Sequence, residues 1–255
     1  MISKMIRYDI VLYAGEQERF VERLRELGLV DITTTGWEPS EGDRSVLLEI
    51  EARNKAIDFL SAFSKSEAFN KNAMPYATGE EAYESYTLAR DDRQQLQQEI
   101  ARLRKLADDV APWGTFSAKD FENLANRGVT VRLFVAQTAS YDRFVAEAVE
   151  GVTVAEISRT QAGVYFAVVT TDDVQYMVDA QEVRLPDMDS AALIAKANEL
   201  VARDAALNEV FSRASLSTAL IAAECGKLKE QLQSLKVGAT AQREADGSLI
   251  ILEGW

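Results

Sequence analysis

The run MIRYDIVLYA alternates apolar and polar residues with the two-residue period of a strand, and VTVRLFVAQ (Val129–Gln137) does the same later in the chain. Each run leads into one of two similar segments, ERFVERLRELGLVDI (Glu18–Ile32) and DRFVAEAVEGVTVAEI (Asp142–Ile157), which share Arg-Phe-Val and hold a helix followed by a strand. A further apolar run follows each, SVLLEIEA (Ser45–Ala52) and VYFAVVTT (Val164–Thr171), read as strands. After these come two amphipathic stretches read as helices, NKAIDFLSAF (Asn54–Phe63) and DDVQYMVDA (Asp172–Ala180), the second capped by Asp172 or Asp173. The order β-α-β-β-α therefore occurs twice. In the second copy EVRLP (Glu182–Pro186) supplies the last strand, completing a βαββαβ ferredoxin-like unit.

The first copy has no such strand nearby. Leu249–Leu252, in the closing SLIILEGW, is the remaining candidate, an apolar run read as a strand buried on both faces. The pattern thus predicts that the chain's last strand completes the lobe begun by its first. The expected fold is α+β, with two ferredoxin-like lobes, each a four-stranded antiparallel sheet with two helices on one face.

Two long helical patterns are expected to run between the two lobes. The first opens at Thr78-Gly79-Glu80-Glu81, a capping box, and stops before Pro112. Along it Ala82, Tyr86, Ala89, Arg93, Leu96, Ile100, Leu103, Ala107 and Val110 recur at spacings of four and three. The second follows Pro186, capped by Asp187 or Asp189, and runs to Lys236, with Gly238 as its left-handed terminator. Its seam, from Leu193 through Ala197, Asp204, Phe211, Ile221 and Cys225 to Leu235, is a heptad pattern. At 1.5 Å per residue that helix would be about 70 Å long. An antiparallel coiled-coil hairpin with a lobe at each end, a dumbbell, is the architecture expected. The segments are 1–77 plus 238–255 for the proximal lobe, 78–111 and 187–237 for the stalk, and 112–186 for the distal lobe.

Arg93 and Asp204 are the only charged residues of the two seams, and such residues are best explained as setting register. They either pair with each other or extend separately to solvent. Cys225 reads as a small buried apolar residue rather than a redox group. Trp113 is read as packing where the stalk meets the distal lobe.

Composition narrows the chemistry. The 255 residues carry a formal charge of −13, which disfavours nucleic acid or an anionic membrane surface as partner and favours a basic protein surface. There is no histidine, so a Ser-His-Asp triad, a Cys-His pair and His-ligated metals are excluded. A single cysteine rules out a disulfide framework within the chain. The N-terminus lacks the features of a signal peptide, and no stretch approaches the ~20 apolar residues of a membrane span. No G-x-x-x-x-G-K loop or Gly-rich strand–helix turn is present. No catalytic residue, cofactor or small-molecule substrate is expected, although some ferredoxin-like lobes hydrolyse small phosphates.

Three places in this order resemble subunit I of the bacterial and archaeal V-type ATPases, related to eukaryotic subunit a. They are the opening MISKMIRYDIVLYAGEQERFVERLRELGLVDI, with Lys-Met before the first strand and Leu-Gly ending the first helix, then APWGTF (Ala111–Phe116), then ILEGW. The resemblance spans essentially the whole chain. It implies structural roles for Trp113, Gly114, Gly254 and Trp255, and a non-catalytic stator domain at the cytoplasmic face of the cell membrane. Its implied partners are peripheral-stalk subunits E and G, the membrane half of the same subunit, and the rotor ring beyond, in a complex that moves protons or sodium ions. The family continues into a membrane domain, so stopping at Trp255 is expected to mark an excised soluble part. A free-standing cytosolic coiled-coil scaffold is the alternative.

Overall fold

The computed structural model describes residues 6–28, 30–147, 149–171 and 174–255. The fold is α+β with two antiparallel sheets. The chain divides into two units, 1–90 with 208–255, and 91–207, and the two longest helices contribute residues to both.

In the first unit, β1 (Tyr8–Tyr13) leads through a 3-10 turn into α1 (Gln17–Leu27). α2 (Glu41–Phe63), the start of α3 (Gly79–Val110) and the end of α6 (Ser190–Leu216) follow, then α7 (Thr218–Thr240), β6 (Gln242–Glu244) and β7 (Leu249–Gly254). The last strand pairs antiparallel with the first along its length, from Tyr8↔Gly254 to Tyr13↔Leu249. This sheet has three strands in the order β1-β7-β6, not the expected four. Nor is β7 buried on both faces: Ile250 and Leu252 are fully covered, while Leu249 and Ile251 are half-buried.

The missing strand has a definite cause. SVLLEIEA is helical and fuses with NKAIDFLSAF into the 23 residues of α2. Its buried positions, Ile50, Arg53, Ala56, Leu60 and Phe63, recur every three or four residues, which is helical spacing. The N-terminus is fixed by a capping box: Asp43 N–H donates to Ser40 Oγ at 3.2 Å, and Ser40 N–H donates to Asp43 Oδ2 at 3.0 Å. Ser40→Ala is expected to lower stability by about 1 kcal/mol, measured by urea unfolding.

The first unit's core has three parts. Val21, Val237 and Leu252 gather Ile10, Leu12 and Ile32 between sheet and helices. Ile50, Cys225 and Leu232 join α2 to α7, and Cys225 is buried as a small apolar residue. Around Phe211 the ring centroids of Phe59, Phe63 and Tyr86 lie at 5.4, 5.6 and 6.1 Å.

The second long helix is broken, against the expectation of one continuous rod ending at Lys236. α6 stops at Leu216, Ser217 takes φ −99° and ψ 8°, and α7 runs on to Thr240, so Gly238 lies inside it. The cause is local. Ser217 Oγ donates to Arg213 O and accepts Tyr76 N–H, while Ser212 Oγ donates to Asn208 O and accepts Asn70 N–H. Hydroxyls bonded to a carbonyl four residues back bend helices, and here they also hold the 70–76 loop.

In the second unit, α4 (Ala118–Asn126), β2 (Thr130–Ala136), α5 (Thr138–Ala146), β3 (Val152–Thr160), β4 (Gly163–Thr170) and β5 (Gln181–Val183) form a four-stranded sheet in the order β3-β4-β2-β5. Strand alternation gives it two apolar faces. Phe134, Val164, Phe166 and Val168 meet Tyr141 and Phe144 of α5, and Leu133 and Ala167 meet Trp113 and Phe121 of α4.

The expected helix over Asp172–Ala180 does not form, and Asp172 and Asp173 lie outside the described residues. Residues 174–180 instead alternate, with Val174, Tyr176, Val178 and Ala180 half-buried and Gln175, Met177 and Asp179 exposed. A two-residue period lays an extended segment on the sheet where a helix was expected. Two helices on one face is therefore not the arrangement here, because α4 covers the face opposite α5.

Candidate functional site

Arg93 and Asp204, both in the second unit, meet. Arg93 Nε donates to Asp204 Oδ1 at 3.1 Å, and a terminal guanidinium nitrogen donates to Asp204 O at 3.1 Å. Of the two possibilities the sequence left open, the structure has the direct pair. The same helix pair is closed further along by Leu103, Ala107 and Val110 against Leu193 and Ala197. These contacts run antiparallel. A half-buried arginine has poor alternatives to this carboxylate, so a shift of one helix along the other separates the pair and is penalised.

Trp113 ends α3's extension, a 3-10 turn over Ala111–Trp113 beginning with Pro112 near its start. Its ring is 5 % exposed and stands edge-on to Tyr165, with centroids 5.3 Å apart and planes at 88°. Gly114 follows at φ 70°, in the left-handed region open to glycine, which turns the chain toward α4. Phe116 then packs against both the helix-pair cluster and the Trp113 cluster. Ser158 Oγ donates to Pro112 O at 2.6 Å, tying β3 to the turn.

Gly254 closes β7 against the segment after α1. It bridges Ile32, and a Cβ there would sit 2.5 Å from Val30 Cγ1 and 3.1 Å from Asp31 O. Trp255 N–H donates to Asp31 O, and Asp31 N–H donates to Trp255 O, each at 2.9 Å. The Trp255 ring is half exposed. Nearby, Arg7 pairs with Glu253 and with Asp9.

Of these six residues, Arg93, Asp204, Trp113 and Gly114 belong to the second unit, and Gly254 and Trp255 to the first. A feature the sequence reading missed is Arg53 of α2, which is buried. Its guanidinium donates to Glu49 at 2.6 Å and to Glu80 at 2.8 Å, and lies 4.5 Å from the Tyr83 ring centre. Burial works against its charge, but the two glutamates outweigh that and hold its pKa above the ordinary value. The signal was present: Arg53 sits on the apolar stripe of α2, where only a paired charge is tolerated. In the second unit, Arg132 holds Glu182 of β5 through two hydrogen bonds, at 2.9 and 2.6 Å. The hydrogen bonding lowers the Glu182 pKa.

A groove of about 820 Å³ runs beside α1 and α7, bordered by Gly15, Gln17, Glu22, Gln231, Ser234 and Arg243 among others. Its polar side chains come from α1, α7 and β6. Among the described residues no group of three or more His, Cys, Asp or Glu side chains is placed to hold a metal ion. Among them, too, no helix is long and apolar enough to cross a membrane. What the geometry offers is surfaces and fixed junctions.

No family model and no curated protein matches this chain. Among solved structures, it is similar to the crystal structure of the cytoplasmic N-terminal domain of subunit I, homolog of subunit a, of V-ATPase. The identity is 14 %, over 98 % of this chain and 93 % of that one, with a TM-score of 0.41.

Proposed function

We propose that this chain is a stator domain of a rotary V-type ATPase, the non-catalytic part that links peripheral-stalk subunits E and G to the ion-translocating membrane half of the same subunit. The observation that carries this reading is the order of three motifs along the chain, in the opening segment, APWGTF and ILEGW. The later two supply Trp113, which is buried, Gly114, whose φ of 70° favours glycine, and Gly254, where a Cβ would clash. In this reading residues 78–111 and 187–237 are the stalk, and 1–77 with 238–255 and 112–186 are its two lobes. The domain works at the cytoplasmic face of the membrane, beside the rotor ring, and resists torque while protons or sodium ions are moved.

Rigidity rather than reactivity is what such a part needs. The Arg93–Asp204 pair fixes helix register, and the Arg53 clamp ties α2 to α3. Neither leaves a group poised for chemistry.

The purified chain is expected to bind an E–G heterodimer in calorimetry at low salt, with affinity falling as salt screens the attraction to a protein of charge −13. Affinity for the isolated piece is expected to be moderate, because the assembled machine adds further contacts. Titration with ATP is expected to give no saturable heat. Saturable ATP binding together with no E–G association would overturn the proposal in favour of an enzyme.

A further inference from the structure

The three-stranded sheet of the first unit has two unlike faces. Toward α1 and α7 it presents Ile10, Leu12, Ile250 and Leu252. On the opposite face the cross-strand pairs Val11↔Ile251 and Tyr13↔Leu249 bring four apolar side chains together. Its outer strand is open, with Val11 60 % and Tyr13 68 % exposed, and Leu249 and Ile251 on the central strand are half-buried. An antiparallel sheet that meets water on one side ordinarily sets polar residues there. β6 follows that rule with Gln242 and Glu244, whereas β1 and β7 break it. A contiguous exposed apolar patch of this kind marks an interaction surface.

Charge selects the occupant. Carboxylates border the patch, Asp9 and Glu253 at one end and Glu244 beside Leu249 at the other, with Arg7 as counter-ion to the first two. A second copy would bring like borders together in a molecule of charge −13, which is repulsive. A basic partner is attracted. Shape selects its form. Six-residue strands extend about 20 Å and three strands span about 10 Å between outer axes, the footprint of one helix of about four turns.

We propose that this face receives an amphipathic helix whose apolar stripe lies on Val11, Tyr13, Leu249 and Ile251, and whose flanking Lys or Arg side chains reach Asp9, Glu244 and Glu253. The chemistry of the surface stands on the structure. The origin of the helix, the E–G stalk, rests on the stator reading.

The test is calorimetry on the whole chain with two probes, an 18-residue Leu/Lys peptide patterned as an amphipathic helix, and purified E–G heterodimer. Val11→Asp and Tyr13→Asp are each expected to weaken binding of both probes about tenfold or more. These changes make the protein more acidic, so attraction by charge alone predicts unchanged or tighter binding and would overturn the proposal. Glu244→Lys, at an exposed position of β6, is expected to weaken both by a few-fold without touching the apolar patch. Circular dichroism before titration establishes that each variant is folded, and the Glu244 variant carries the test if an apolar-patch variant is not. Peptide binding that responds to these variants, with no E–G binding in the parent chain, upholds the face and overturns the stator reading. E–G binding indifferent to all three overturns the face and leaves the stator reading standing.

Discussion

Phe211→Ala is expected to destabilise the protein by about 3–5 kcal/mol, the range found when a fully enclosed aromatic ring is removed. Phe211 has no exposed surface and meets three other rings, so its loss forfeits apolar burial and aromatic contacts together. The cavity would be hard to fill. Leu60 and Ala214 are themselves fully enclosed, and the neighbouring Ser212 and Ser217 are held by hydrogen bonds on both sides. Urea unfolding followed by circular dichroism measures the loss. Hydrogen exchange should place it in α2, the first turns of α3 and α7, with β2 and β4 protected as before. A change below about 1 kcal/mol would mean that this cluster does not carry the first unit's core.

Trp113→Ala should cost a similar amount, about 3–5 kcal/mol, but in the second unit. The ring fills the space between the end of α3 and the sheet, against Leu133, Ala167 and Tyr165. Gly114 at φ 70° immediately follows, so the backbone on that side is committed to its turn and is poorly able to close in. Trp113→Phe retains a ring at the same place and should recover most of the loss. Thermal unfolding of the two variants is the measurement. If alanine and phenylalanine behave alike, near the parent, then APWGTF is not a packing junction and its tryptophan is free to serve as a contact with a partner.

The comparison of pattern with structure is uneven, and the unevenness has physical causes. β2, β4 and β7 lie in the apolar runs read as strands, because each has at least one face in a core. SVLLEIEA misleads because four apolar residues in five fit either a strand or one face of a helix. The deciding signal lay upstream, in Ser40 and Asp43 at capping-box spacing. VQYMVDA misleads in the opposite sense: Met177, an apolar residue at an exposed position, interrupts what is otherwise a two-residue alternation.

Part of the heptad pattern is buried on both sides of Ser217, Leu193 and Phe211 before it and Ile221 and Leu232 after it, whereas Leu235 is exposed. The break was not legible, since a heptad count is blind to hydroxyls that bond the preceding turn. Among candidate residues, Arg93 and Asp204 stood out as charges in apolar seams. Arg53 does not stand out as a charge on an apolar stripe because SVLLEIEA, just before it, fits a strand as well as a helix. The open face of β1 and β7 could not be read at all, since alternation does not say which side of a strand stays uncovered.

The pairing of β1 with β7 also has a consequence for how the molecule is made. Tyr8 and Gly254 are partners, so the first strand leaves the ribosome long before the strand that satisfies it exists. Residues 91–207 form an uninterrupted stretch and can fold while the rest is still being synthesised, as domains do. The first unit must wait, with Ile10 and Leu12 unburied and both edges of β1 open throughout elongation. Closing so long a loop adds little to its entropy cost, which grows only logarithmically, but it makes the final step slow. Nascent chains stalled before Leu249 should therefore show a protease-resistant second unit and a first unit that is cut readily and held by chaperones.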